Sequence, residues 1–209
     1  MGNTAVVNET GSSISVQTDS VKFNFDKKNG ALTSWKANDK ELLMGSLEPY
    51  FWKPTNDNQK RNDYEQRLGK WKSAAATRQV ENVQIQKLQG LTIITFDMNL
   101  PDIGASYKLT YTVNGMGKLQ VEASYIPKSD DIPLIPKFGM RMRLPSGLNT
   151  VDWYGRGPCE NYPDRKTGYL VGLYELKLEN FITNYVAPQD NSNRCDVRWF
   201  AFSGQKQVV

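Results

Sequence analysis

Over long stretches of this chain apolar and polar residues change places at every second position, a rhythm that fits a half-buried strand and cannot wrap into a helix. Val21, Phe23 and Phe25 alternate with Lys22, Asn24 and Asp26, and Asn29-Gly30 then turns the chain back through 31–35. Tyr107, Leu109, Tyr111 and Val113 form one face with Lys108, Thr110 and Thr112 opposite, and Asn114-Gly115 turns into Leu119, Val121, Ala123 and Tyr125. Arg141 and Arg143 interleave with Met140, Met142 and Leu144 in the same way, and 80–100 repeats the theme around Gln89-Gly90. Asn-Gly between alternating runs is the strongest short-range hairpin signal, because both turn residues must accept positive φ. The expected fold is therefore all-β, an antiparallel sandwich. Residues 64–72 are the one stretch with a hint of helical spacing; Gly69 interrupts it, and a short irregular turn is expected there. The prolines of Ile132-Pro133-Leu134-Ile135-Pro136 suit an edge or a link, and no internal domain boundary is evident.

At 209 residues the chain is long enough to bury a sizeable core without disulfides or metals. A net charge of +4, evenly mixed, builds no stripe that would track phosphates, so nucleic acid is not an expected partner. No apolar run approaches the ~20 residues of a membrane-spanning helix. A soluble chain with no membrane partner is expected. The absence of histidine removes histidine-based triads and the commonest metal ligand. Cys159 and Cys195 lack the close Cys or His neighbours of a zinc site; a disulfide or two free thiols would fit them, with free thiols favoured. The ending Lys206-Gln207-Val208-Val209 stops within what reads as a strand, and a fragment is expected.

Three long polar excursions interrupt the strands, at 50–72, 151–165 and 187–194, and long loops on an all-β scaffold are where function concentrates. Glu160 and Asp164 suggest a carboxylate pair, but Pro163 lies between them and Arg156 and Arg165 stand near enough in sequence to neutralise both. A structural ion-pair network outweighs catalysis. Asn56, Asp57, Asn58 and Gln59 carry the groups that hydrogen-bond sugar hydroxyls, with Trp52 nearby as a stacking face; the same residues also shape turns, and turn-forming weighs more. The amides of 187–194 allow the same two readings. No nucleophile elbow, P-loop, dinucleotide fingerprint or metal box occurs.

Taken together, four segments resemble a known family. They are Trp52-Lys53-Pro54-Thr55-Asn56-Asp57-Asn58, the run Tyr154-Gly155-Arg156-Gly157-Pro158-x-Glu160-Asn161-Tyr162-Pro163-Asp164-Arg165, Gly172-Leu173-Tyr174, and the stretch from Tyr185 to Trp199 with Pro188-Gln189, Asn193-Arg194 and Asp196-Val197-Arg198. In order and type they are similar to the small-chain domain, fifth and C-terminal, of β-galactosidases of glycoside hydrolase family 2. The resemblance runs from about Asp19 to the chain's end. It makes 1–18 an N-terminal extension or tag remnant and 19–209 a domain truncated before its last strands.

The resemblance implies an antiparallel β-supersandwich of galactose-mutarotase-like fold. It also implies a parent that hydrolyses terminal non-reducing β-D-galactosides with retention. The catalytic glutamates and the Mg2+ ligands of such a parent belong to a separate TIM barrel, so no residue here is assigned a catalytic or metal role, no cofactor is expected, and the chain alone is expected to be inactive. Asn56, Asp57, Asn58 and Gln59, with Arg61, are implied at the substrate rim. Arg156, Glu160, Asn161, Asp164 and Arg165 are implied as a structural motif loop. The order Asn56-Asp57-Asn58 departs from the commoner Asp-Asn-Asp, and Lys60 stands where many members carry glycine. The implied partners are the barrel domain and a galactoside, and an uncovered sheet edge would favour self-association. A free-standing carbohydrate-binding module or a mutarotase-like protein is the alternative, handicapped by the lack of histidine. The parent's compartment, cytoplasmic or periplasmic, is left open.

Overall fold

The computed structural model describes residues 5–204 and, as backbone, 207–208. Every strand pairing is antiparallel. The chain divides into two compact units, Met1–Lys53 with Gln66–Leu144, and Pro54–Glu65 with Pro145–Val209. The second unit is discontinuous, so no linker composition marks it.

The first unit holds β1 (Val6–Glu9), β2 (Ser13–Gln17), β3 (Val21–Asp26), β4 (Leu32–Ala37), β5 (Lys40–Glu41), β6 (Gly45–Tyr50), β7 (Gln79–Leu88), β8 (Leu91–Leu100), β9 (Ala105–Asn114), β10 (Leu119–Pro127) and β11 (Gly139–Arg143). One sheet runs β1-β2-β3-β4-β6-β11 with β5 beside β4, and the other runs β10-β9-β8-β7. Residues 6–17, inside the stretch expected as an extension, thus supply two strands.

Their faces meet through the residues that the alternation points inward. Phe23, Phe25, Phe96, Leu109 and Tyr111 are fully buried, Phe25 and Tyr111 have ring centroids 4.7 Å apart, and the Tyr111 hydroxyl donates to the Gly30 carbonyl at 2.9 Å. Each such side chain contributes about 1.5–3 kcal/mol on burial. Gln89 and Gly90 both have positive φ, 51° and 80°, and join β7 to β8 in a two-residue turn, as the spacing predicts.

The 50–72 excursion is more ordered than expected. It carries α1 (Asp57–Arg61) and α2 (Tyr64–Leu68), and α3 (Trp71–Ala74) follows. Gly69 falls between α2 and α3, so the residue that hid the periodicity separates two short helices. Trp71 on α3 is buried edge-on against Phe51 at 5.6 Å, and its Nε1 donates to the Pro133 carbonyl at 3.0 Å.

The second unit contains β12 (Thr150–Arg156), β13 (Val171–Lys177), β14 (Trp199–Gly204) and β15 (Gln207–Val208), in the order β13-β12-β14-β15. The 151–165 excursion therefore begins as a central strand and becomes a loop only after Arg156. Val151, Trp153 and Gly155 face inward along it. Gly155 is required there, since a Cβ would sit 2.9 Å from the Val197 Cα.

Candidate functional site

The polar loops of the second unit converge on one another. At the first, Asn56 caps α1: its side-chain oxygen accepts from the Gln59 N–H at 2.9 Å, and the Gln59 side chain accepts from the Asn56 N–H at 3.1 Å. This reciprocal box stabilises the turn by about 1 kcal/mol. The Asn56 amide nitrogen donates to Asp190 at 3.1 Å, and the Asp57 N–H donates to the Pro188 carbonyl at 2.9 Å. Asp57 meets Arg61 at 3.2 Å, an exposed i,i+4 pair that contributes a few tenths of a kcal/mol. Asn58 and Lys60 are exposed. Of the expected rim residues, Asn56 and Gln59 are thus occupied in shaping the turn, while Asn58 presents its amide outward.

Glu160 is the hub of the second loop. It is only 6 % exposed, and one carboxylate oxygen accepts from Arg165 Nη2 at 2.7 Å and from the Tyr185 hydroxyl, while the other accepts from the Ser192 N–H at 2.8 Å. Burial pushes its carboxyl up, but the hydrogen bonds from Tyr185, Arg165 and Ser192 outweigh that and hold it below the ordinary carboxylate range. Arg165, in turn, lies over the Tyr162 ring at 4.7 Å, and the carboxylate raises its guanidinium further. A carboxylate held ionised by three donors is a clamp; it has no proton to give near neutral pH.

Asn161 is wholly buried and stitches the same loops. Its N–H donates to the Asn193 carbonyl at 2.9 Å and its carbonyl accepts from the Asn193 amide at 2.8 Å. Its side chain donates to the Cys159 carbonyl at 3.0 Å and accepts from the Cys195 N–H at 2.8 Å. Both cysteines are free thiols.

The expected network is present with different partners. Arg165 takes Glu160, but Arg156 turns to Asp196 at 2.6 Å, where Lys166 joins at 3.0 Å, and the other end of Arg156 donates to the Lys166 and Tyr169 carbonyls. The Arg156 and Lys166 hydrogen bonds hold the Asp196 carboxyl low. Asp164 is exposed and makes no hydrogen bond or ion pair among the described residues, so it is no partner for Glu160. The neutralisation expected of both arginines toward Glu160 and Asp164 is corrected accordingly: an ion pair needs proximity in space, and the β12–β14 pairing brings Asp196, not Asp164, to Arg156.

Tyr185, Asp190, Ser192 and Asp196 complete these contacts; all four lie in the 185–199 stretch that carries the resemblance, but their role in this network was not read from the sequence. Their signal was available only as polarity in a loop. On the sheet face beneath, Trp153 donates to the Arg156 carbonyl at 3.1 Å, and Arg194 lies over Trp153 and Phe181 at 5.2 and 4.7 Å. An open cavity of about 430 Å³ adjoins them, walled by Val151, Trp153, Leu178, Phe181, Phe200 and Phe202 among others. No three His, Cys, Asp or Glu side chains come together among the described residues.

Fold and site together define a class, an antiparallel β domain whose polar loops are built as a rigid scaffold. The chain belongs to the β-galactosidase small-chain family, whose description matches residues 17–208. It is 35% identical over 175 residues to a β-galactosidase of Priestia megaterium, covering 84% of this chain and 17% of that protein. It is 32% identical over 178 residues to one from Halalkalibacterium halodurans, with 83% and 18% covered, and 30% identical over 183 residues to one from Lactobacillus delbrueckii subsp. bulgaricus, with 87% and 18% covered. The chain spans less than a fifth of the length of these relatives.

Proposed function

We propose that this chain acts as the small-chain domain of a β-galactosidase, scaffolding and lining the rim of a site that hydrolyses terminal non-reducing β-D-galactosides. The observation that carries the reading is the family match over 17–208 together with loops whose side chains are committed to holding one another. Retaining hydrolysis needs two carboxyl groups ~5–5.5 Å apart, one protonated and one not. Glu160 is pinned ionised by its donors and takes neither role; both reacting glutamates, and any Mg2+, are assigned to a barrel domain of the parent on the resemblance to family 2 β-galactosidases. On this reading Asn58 reaches toward substrate, Asp57 and Arg61 border it, and Asn56 and Gln59 fix the turn that carries them.

Hydrolysis of o-nitrophenyl-β-D-galactoside tests this directly. The purified chain is expected to show none. Adding it to the Priestia megaterium enzyme lacking the corresponding segment is expected to restore turnover. Hydrolysis by the isolated chain would overturn the assignment.

A further inference from the structure

Two loops of the second unit, far apart in the chain, are joined at the turn that carries the candidate rim. The Asn56 amide works in two directions: its oxygen accepts from the Gln59 N–H at 2.9 Å and so caps α1, and its nitrogen donates to Asp190 at 3.1 Å. Beside it the Asp57 N–H donates to the Pro188 carbonyl at 2.9 Å. The 188–190 segment is itself fixed from behind. Asn191 exchanges two hydrogen bonds with the Thr183 backbone, at 3.0 and 2.6 Å, the Ser192 hydroxyl donates to the Phe181 carbonyl at 2.9 Å, and the Ser192 N–H ends on Glu160 at 2.8 Å. Asp190 also faces α2, where its charge adds to burial in raising the Tyr64 hydroxyl.

We propose that Asp190 is a positioning residue for galactoside binding: through Asn56 it locates the turn, and with it the place at which Asn58 presents its amide to substrate. This rests on the rim reading given above. A cap shapes a helix but does not locate it. Five residues make too few intrahelical bonds to hold α1 on their own, so its position is set by tertiary contacts, and of the two that reach it from 188–190 the carboxylate is the stronger acceptor. Fixing a substrate-facing group in advance removes part of the ordering cost of binding. Asparagine at 56 is needed for this link and not for the cap. Aspartate caps a helix as well as asparagine does and suits the N-terminal end of the dipole, but it has no donor for Asp190 and sets two carboxylates against each other. Asn56→Asp therefore keeps α1 and removes the link, and Asp190→Asn added to it puts the donor on the other loop and restores the bond with its direction reversed.

Amide exchange of Asp57, read by NMR on the full chain at neutral pH, tests the link without substrate. Asn56→Asp is expected to speed it roughly tenfold or more, the change that loss of one charge-assisted bond allows, while the Ser192 N–H exchanges as in the native chain. The double variant Asn56→Asp/Asp190→Asn is expected to return Asp57 to within about threefold of native. The role toward substrate is read from o-nitrophenyl-β-D-galactoside hydrolysis by the chain joined to the Priestia megaterium enzyme lacking the corresponding segment. Asn56→Asp should raise KM about five- to tenfold with kcat within about twofold, and the double variant should bring KM back; poor folding or assembly lowers the amount of active enzyme and leaves KM in place. Unchanged Asp57 exchange in Asn56→Asp, a double variant no better protected than the single one, or a native KM in Asn56→Asp overturns the proposal. If the native chain restores no turnover, the rim reading falls and the substrate role of Asp190 falls with it, a result that the exchange data separate from failure of the link itself.

Discussion

Glu160→Gln is the sharpest test of the clamp. The carboxylate accepts from three donors, Arg165 Nη2, the Tyr185 hydroxyl and the Ser192 N–H, in a site that is only 6 % exposed. The amide keeps the shape but offers one oxygen and turns an NH2 toward at least one of those donors. One charge-assisted bond lost is worth ~1.5–3 kcal/mol, and a buried donor left facing another donor adds to that. Arg165 is 44% exposed, so water takes up its charge and limits the total. The expected cost is about 2–3 kcal/mol, or ~10–20 °C in the melting of a unit of under 100 residues. Differential scanning calorimetry measures it, with Arg165→Met as the comparison at under about 1 kcal/mol. The pH dependence is a second readout. The folded carboxyl titrates below the ordinary 4.5, so the unfolded chain takes up its proton first as pH falls. The stabilisation is complete above pH 4.5 and disappears as pH drops through the folded value, and the gap between native and variant should narrow from neutral pH toward strong acid. A variant within 0.5 kcal/mol of native at neutral pH, or a gap that widens in acid, would refute the clamp as described, because surface substitutions rarely exceed about that amount.

Three further outcomes follow from the packing. Tyr111→Phe deletes the buried bond to the Gly30 carbonyl and should cost about 1–2 kcal/mol by urea unfolding, with ring packing retained. Gly157→Ala places a Cβ 2.8 Å from the Tyr174 ring and 2.9 Å from Trp153, and should destabilise by about 1–3 kcal/mol, read from near-ultraviolet circular dichroism on heating. Burial pushes the Tyr162 hydroxyl up to about 12 and those of Tyr107 and Tyr111 higher still, so ultraviolet difference titration should find at least three tyrosines ionising well after the ordinary 10.0; the stability that Tyr162 confers, present below pH 10, should be lost as pH rises through 12.

The first unit was legible because each half-buried strand writes its own face, and Gln89-Gly90 and Asn114-Gly115 mark where the chain must reverse. Strand β12 was hidden for a local reason: Gly155 reads as loop, yet glycine is what lets Val197 cross it at close range. Asn56 could be placed as a turn former or a sugar ligand, and its capping role emerges only once Gln59 folds back to it. Arg156 and Asp196 are forty residues apart, and no spacing rule joins them; the pairing of β12 with β14 does. The two-unit division escaped for the same reason, since 54–65 joins a body whose other residues begin at 145.

The enclosed amide at Asn161 sets a limit on how this domain ages. Its nitrogen serves the Cys159 carbonyl and its oxygen serves the Cys195 N–H, an arrangement that neither a carboxylate nor a longer side chain reproduces. Spontaneous deamidation there would swap a donor for a negative oxygen facing another oxygen, in a place that water does not reach. The shelf life of the loop architecture therefore depends on one nitrogen atom, and slow chemical decay at that position would release two loops together.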